Sequence, residues 1–373
     1  MNEILLVLIL AAYIASGVCQ PVLIELLAYN GMCEKNTMLF VLPNYIGMSL
    51  SFLMNFRNSC RQGKIQWTTI CILSSVDIIS QYLNFTGLVN AGSLIFTVIY
   101  SSVTVYTAIF SYIFLNRQLH SMQWVAVFLI MIGLIFGGRG AAELGGKDVW
   151  LGVIQIFIGS MFHSLTYILS EFLLKNASEP IAPEMLSTLM GLGGVIVFGI
   201  WQIIYTIPNF QILIIDSIAS KNGSINVIIF TVIILTLVNF IHAICFFNLL
   251  EIVGSTTTGV LKGVQSVLVF GISHFAFCTF QKSQCFSPEK GISLFTVVIG
   301  VILYSSFKIK KKSEEEEYLL SSPSSKTLTV RSSKLRKSLP ISHSLGVLEV
   351  GEYKPQIDDG DNIYSPAHVL FSK

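Results

Sequence analysis

The sequence predicts an all-α polytopic membrane protein, with about ten transmembrane helices in a five-plus-five inverted repeat. Three observations lead there. Apolar runs of membrane-spanning length recur about ten times between Ile4 and Phe307. The chain is 53% hydrophobic and 12% charged, with a mean hydropathy of +0.71, against roughly 25% charged in an ordinary soluble domain. The two halves of the apolar region also resemble each other in a constant register.

A hydrocarbon core of roughly 30 Å takes about 20 mostly apolar residues per helix. Only helices or closed barrels satisfy their backbone inside lipid. These runs are continuous rather than alternating, so they predict helices. In order, the spans fall at about 4–29, 38–56, 67–83, 92–115, 122–138, 149–174, 184–207, 225–250, 254–280 and 291–307. The first reads as a retained helix rather than a signal peptide. Met1-Asn2-Glu3 lacks a positive n-region, and the run continues past Pro21 to Leu27. Lys and Arg in short loops set orientation. With the N-terminus cytosolic, the inner side receives Arg57, Arg61, Lys64, Arg117, Lys175 and the cluster Lys308, Lys310, Lys311, Lys312. The other side receives Lys35, Arg139, Lys147, Lys221, Lys282 and Lys290. That modest bias, with an even span count, places both termini in the cytosol.

Residues 308–373 are rich in Ser, Lys and Glu and cannot bury enough surface to fold alone. They predict a disordered cytosolic tail. Within it, Glu315-Glu316-Glu317-Tyr318-Leu319-Leu320 resembles the acidic dileucine signal that adaptor complexes read for sorting to lysosomes or vacuoles; the alternative is a charge run beside two unrelated leucines. Ser321, Ser322, Ser324 and Ser325 follow, where phosphorylation adds negative charge.

Sliding the chain by 162 residues sets Asp77 on Asn239, Ser80 on His242, Leu88 on Leu250, Gly92-Ser93 on Gly254-Ser255 and Tyr100 on Lys262. Ile130-Met131-Ile132-Gly133-Leu134 then matches Val297-Val298-Ile299-Gly300-Val301 after a short insertion, and Glu25-Leu26-Leu27 is echoed by Glu171-Phe172-Leu173. Chance matching of apolar sequence is the alternative, weakened by the matched polar and glycine positions. The division is residues 1–140, residues 141–307 and the tail 308–373. Five spans per half is odd, so the halves insert with opposite topology, as in secondary transporters with a midplane site.

The segment Gly92-Ser93-Leu94 through Tyr100-Ser101-Ser102-Val103-Thr104-Val105, then Phe114-Leu115-Asn116-Arg117-Gln118-Leu119, resembles the fourth helix and basic turn of the drug/metabolite transporter superfamily, especially its nucleotide-sugar-transporter-like solute carriers. Gln123-Trp124 with Ile132-Gly133-Leu134 resembles the fifth helix, and Gly254-Ser255-Thr256-Thr257-Thr258 with Lys262 is the second-half counterpart. The resemblance covers about residues 1–307 and implies fold and transport class, not substrate.

Charged groups inside a bilayer cost a few kcal/mol or more, about 2.5–3.5 on insertion scales. Lys262 is the sharpest case, about 12 Å into the ninth span, with no acidic residue one turn away on that helix. Such an ammonium points to the phosphate of a substrate or to an ion pair with Asp77 or Glu171. Asp77 and Gln81 lie one turn apart on the third span, and Asn239 and His242 are i, i+3 on the eighth. His163 aligns with Tyr167 and Glu171 on the sixth. Lys262, Tyr100, Asp77, Gln81, Asn239, His242 and His163 together predict a polar substrate cavity built from both halves. Taken singly, each is also explained as an interhelical hydrogen bond, worth about 0.6 kcal/mol on average. Glu25 and His274 sit nearer helix ends, within reach of the interface. Met190-Gly191-Leu192-Gly193-Gly194 lies in an apolar helix and predicts close packing or a hinge rather than a nucleotide loop.

Cys278 and Cys285 bracket the connection between spans nine and ten, so in an oxidising lumen they form a disulfide, with Cys33 a competing partner and free thiols the alternative. Asn222-Gly223-Ser224 is a glycosylation sequon in the longest luminal loop; Asn84 lies too near the membrane, and Asn176 faces the cytosol. The net charge of +2 does not suggest nucleic acid. No phosphate loop, zinc-finger spacing or dinucleotide fingerprint occurs, and the seven cysteines contain no CxxC pair. The sequence therefore implies no cofactor, metal site or catalytic residue.

The reading is a secondary transporter of a small, anionic metabolite, nucleotide-sugar-like or phosphorylated, in an endomembrane such as lysosome, vacuole or Golgi. The expected partners are a small-molecule substrate, the lipid bilayer and an adaptor complex through Glu315, Leu319 and Leu320, with a homodimer left open. An intramembrane transferase and a transport-inactive scaffold are the alternatives. The clustered His, Asp or Glu pairs near a membrane surface that such enzymes use are not in the sequence.

Overall fold

The structure, a computed structural model, describes residues 3–34, 36–54, 65–115, 120–176, 180–279 and 285–321; the side chains of 3, 134–135, 137–146, 176, 305 and 308–321 lie outside that description. Of the described residues 89% are helical, and none of them is in a strand. The first helix, α1 (Glu3–Tyr29), runs unbroken through Pro21, which lipid-embedded helices tolerate because neighbours satisfy the freed carbonyl. A short second element follows, α2 (Leu42–Ser49) flanked by 3-10 turns Leu39–Val41 and Leu50–Met54. Then come α3 (Trp67–Ala91), α4 (Ser93–Tyr100) and α5 (Ser102–Phe114).

Helix α6 (Ser121–Glu171) carries both the fifth and sixth predicted spans. It is followed by α7 (Pro183–Trp201), the short α8 (Asp216–Ser220) and α9 (Ile225–Phe277), which is broken at Gly254 (φ 81°). The last helix, α10, spans Pro288–Ser321. Each predicted span coincides, over its described residues, with one or more of these helices, but the boundaries differ in places. The third continues to Ala91 rather than stopping near 83. Beyond Trp201 the chain makes π-helical turns at Gln202–Thr206, within the predicted seventh span, and at Gln211–Ile215, where the sequence predicts a loop.

Among the described residues, five helices are long and apolar enough to cross a membrane: Ile4–Tyr29, Ser93–Phe114, Lys147–Lys175, Pro183–Thr206 and Ile225–Phe277. Leu39–Met54, Ser121–Gly133 and Gln211–Ser220 are shorter apolar helices. Side chains such as Ile4 (74% exposed), Ile204 (70%) and Phe275 (86%) face outward. A lipid solvent accepts such a surface where water would not.

Residues to Ser305 form one compact unit and Ser306–Lys373 another. In the second, α10 continues to Ser321, so the start of the segment read as disordered is helical. Its run of Lys and Glu consists of good helix formers. Glu315, Leu319 and Leu320 lie on this helix, their side chains outside the description, as are all residues from Ser322. Of the loop cations used for orientation, Lys35, Arg57, Arg61, Lys64, Arg117 and Lys282 lie outside the described residues.

Inside the first unit, small residues and hydroxyls bring helices together, as expected where lipid gives no hydrophobic drive between them. Helices α4 and α5 run antiparallel to the second part of α9 along a hydroxyl seam. The Oγ atoms of Ser93 and Ser273 are 2.8 Å apart and those of Ser101 and Ser266 2.7 Å. Ser266 Oγ also donates to the Thr97 carbonyl (3.0 Å), and Thr104 Oγ1 to that of Gly259 (2.9 Å). These last two bonds occupy equivalent places in the 162-residue register. Gly133 and Gly300, matched in the same comparison, lie on helices in mutual contact: a Cβ at Gly133 comes 2.8 Å from Val297, and one at Gly300 2.6 Å from Ile130.

Candidate functional site

A single cavity gathers all seven predicted residues: Lys262, Tyr100, Asp77, Gln81, Asn239, His242 and His163. Its volume is about 90 Å³ and it is partly open to the exterior, so it is smaller than ordinary small-molecule sites of roughly 300–1,000 Å³. Residues from α1, α2, α3, α4, α6, α7 and α9 line it, so both halves of the chain contribute.

Lys262 is 6% exposed and forms no ion pair among the described residues. Its ammonium lies between two aromatic faces, 5.2 Å from the Tyr13 ring centre and 5.6 Å from that of Tyr100. Cation–π attraction is worth about 2 kcal/mol when desolvated, which lessens the burial cost without neutralising the charge. The Tyr13 ring is fixed by stacking on His242 (4.7 Å between centres), by a 3.3 Å contact between its hydroxyl and that of Tyr167, and by Gln265 Nε2 donating to its carbonyl (2.9 Å).

The two ion pairs that the sequence offers for Lys262 are not formed, because both carboxylates are engaged elsewhere. Asp77 accepts from the Tyr45 hydroxyl (3.0 Å) and from Gln81 Nε2 (3.4 Å). Glu171 accepts from the Ser255 amide (2.9 Å) and from Lys175 Nζ (3.3 Å). His163 Nδ1 stands 4.0 Å from Asp77 Oδ1, beyond hydrogen-bond length, and has no hydrogen-bond partner. The cavity therefore carries an ammonium and a carboxylate that do not neutralise each other directly.

Elsewhere in the wall, Gln20 Nε2 donates to Asn239 Oδ1 (2.6 Å), and Ser16 Oγ lies 2.9 Å from His242 Nδ1. Tyr13, Gln20, Tyr45 and Gln265 are the residues that sequence reasoning missed. Gln20 and Gln265 leave a signal, a polar side chain within an apolar run. Tyr13 and Tyr45 leave none, since a tyrosine in such a run equally suits an interfacial belt.

Glu25, expected within reach of the interface, is 5% exposed and accepts from the Ser93 amide at 2.9 Å. His274 is at a helix end, its Nδ1 accepting from the Phe286 amide (3.1 Å). Cys278 and Cys285 are joined as a disulfide. Cys33, the expected competitor, is free and buried. Its thiol donates to the Ile24 carbonyl, and burial holds it well above the ordinary thiol pKa. Among the described residues, no group of three or more His, Cys, Asp or Glu is arranged to hold a metal ion.

Residues 36–181 match the profile of the nucleotide-sugar transporter family. That match spans less than half of the chain and agrees with the resemblance read from the sequence; with the long apolar helices it supports a multi-pass membrane protein. An uncharacterized protein of Schizosaccharomyces pombe is 25% identical over 114 residues, 29% of this chain and 35% of that protein. The chain thus matches about a third of that relative's length. A solved crystal structure aligns at a TM-score of 0.44 and 15% identity, covering 80% of this chain and 97% of that one.

Proposed function

We propose that this nucleotide-sugar-transporter-like chain is a secondary transporter for a small organic anion, nucleotide-sugar-like or phosphorylated, acting by alternating access in an endomembrane. One observation carries the reading. Lys262 is a buried ammonium that opens onto a cavity and has no acidic partner among the described residues. A phosphate entering the cavity supplies the missing charge. Lysine is suited to that task as a compact point charge.

The two halves, residues 1–140 and 141–307, act in this proposal as inverted repeats of five spans each, with both termini cytosolic. The matched breaks at Gly92 and Gly254, each followed by a carboxylate-bonded serine amide, support such a repeat. Transport is driven by exchange or by an ion gradient. Protein in liposomes preloaded with unlabelled compound is expected to show counterflow of at least one labelled nucleotide, nucleotide sugar or phosphorylated metabolite. A folded preparation that carries none of these, yet carries an uncharged or cationic solute, removes the anion assignment.

The segment from Glu315 to Leu320 is proposed as an adaptor-binding signal that sets the organelle. Replacing Leu319 and Leu320 with alanine should move a tagged protein to the plasma membrane. Unchanged localisation by microscopy leaves the two leucines without a sorting role.

A further inference from the structure

Two buried glutamates make the same unusual contact in the two halves of the chain. Oε2 of Glu25, near the end of α1, accepts from the backbone amide of Ser93 at 2.9 Å; Oε2 of Glu171, at the end of α6, accepts from that of Ser255, also at 2.9 Å. The glutamates are 5% and 0% exposed. Each serine begins a helical segment just after a glycine in nearly the same left-handed conformation, Gly92 at φ 84°, ψ 161° and Gly254 at φ 81°, ψ 168°. Glycine adopts this backbone without strain, but it brings no side chain to cap the helix it precedes. The opening amides of a helix lack internal partners, and inside a membrane an unpaired amide costs several kcal/mol. A carboxylate from a distant helix meets that need with a charge-assisted bond, at the positive end of the helix dipole.

What these capped segments carry gives the contact its meaning. Tyr100 comes seven positions after Ser93, and Lys262 seven positions after Ser255. Seven residues are two turns, so each cap fixes the depth and rotation of one cavity side chain. The two side chains then meet, with the Lys262 ammonium 5.6 Å from the Tyr100 ring centre. We infer that Glu25 and Glu171 are positioning residues for the cavity, Glu25 setting Tyr100 and Glu171 setting Lys262. This rests on reading the cavity as the transport site, but it is tested without a substrate.

The experiment places a cysteine at position 262 or position 100, one at a time, in an otherwise unreactive background, and follows its rate of modification by a small thiol reagent. Glu171→Ala is expected to change the rate at position 262 by about threefold or more while leaving position 100 nearly unchanged; Glu25→Ala does the reverse. Glu171→Gln and Glu25→Gln restore rates close to the parent, because the amide oxygen still accepts the serine N–H. Should the alanine variants not fold, Ser255→Pro and Ser93→Pro remove the donated hydrogen together with the serine hydroxyl, which at Ser93 also meets Ser273 Oγ, and proline suits the first position of a helix. The same crossed pattern is then expected. Rates that move together at both positions, or at neither, overturn the assignment, as does a glutamine variant that behaves like alanine. A crossed pattern in a protein that carries no anion keeps this inference and removes the transport reading.

Discussion

Lys262→Ala is expected to reduce anion counterflow by roughly 10- to 150-fold, the equivalent of losing one hydrogen bond to a charged group, about 1.5–3 kcal/mol. Thermal stability should remain close to the parent. Removing one member of a buried ion pair strands the other and typically costs about 3–5 kcal/mol, but among the described residues no carboxylate is paired with Lys262. Asp77 keeps Tyr45 and Gln81, and Glu171 keeps Ser255 and Lys175. For the same reason, adding Asp77→Asn or Glu171→Gln to the alanine variant should restore nothing. Lys262→Arg keeps the charge with a different geometry and should retain partial activity. Initial counterflow rates and melting curves of the same preparations decide the matter. Normal transport in the alanine variant removes Lys262 from substrate contact, and a large loss of stability with matching loss of transport makes it structural.

The second large effect belongs to packing. Gly191 of α7 lies against α2 where Ser187 Oγ also donates to the Met48 carbonyl (3.2 Å). A Cβ at Gly191 meets the backbone of Met48 and Ser49, coming 2.8 Å from Ser49 Cα. Backbone cannot rotate aside, so the helices must separate. Gly191→Ala should destabilise by about 1–3 kcal/mol, lowering the melting temperature by roughly 2–12 °C. Gly193, two residues away, offers the control. Its Cβ comes no nearer than 3.4 Å to Ser74, and alanine gains up to about 1 kcal/mol of helix propensity, so Gly193→Ala should melt at or above the parent. Equal effects at the two glycines contradict this account of the α2–α7 contact.

The spans were legible because lipid imposes their length, and the cavity residues because a charge or amide stands out in apolar sequence. Asp77, Lys262 and His163 declared themselves in that way. The Gly191 region was likewise readable as packing, since a glycine-rich run inside an apolar helix has no loop to form. The partners were harder. Glu171 aligned with His163 on one helix face and looked available to Lys262, yet its acceptor oxygens serve Ser255 and Lys175. Nothing local marks a bond across 84 residues. Tyr13 was missed because the ring that carries the cation is chemically the same as one that faces lipid. The continuation of α10 to Ser321 was missed because composition reports whether a segment can build a core, not whether its Lys and Glu extend a helix already begun.

The bond from Glu25 to Ser93 joins residues 68 positions apart, and that from Glu171 to Ser255 joins residues 84 apart. A ribosome adding about 5–20 residues per second delivers the first amide about 3–14 s after its carboxylate, and the second about 4–17 s after. Through that interval each acidic helix is in or near the membrane before its amide partner exists. Biogenesis thus acquires an order: Glu25 gains its bond only once α4 has followed α1, and Glu171 only once the later part of α9 has emerged.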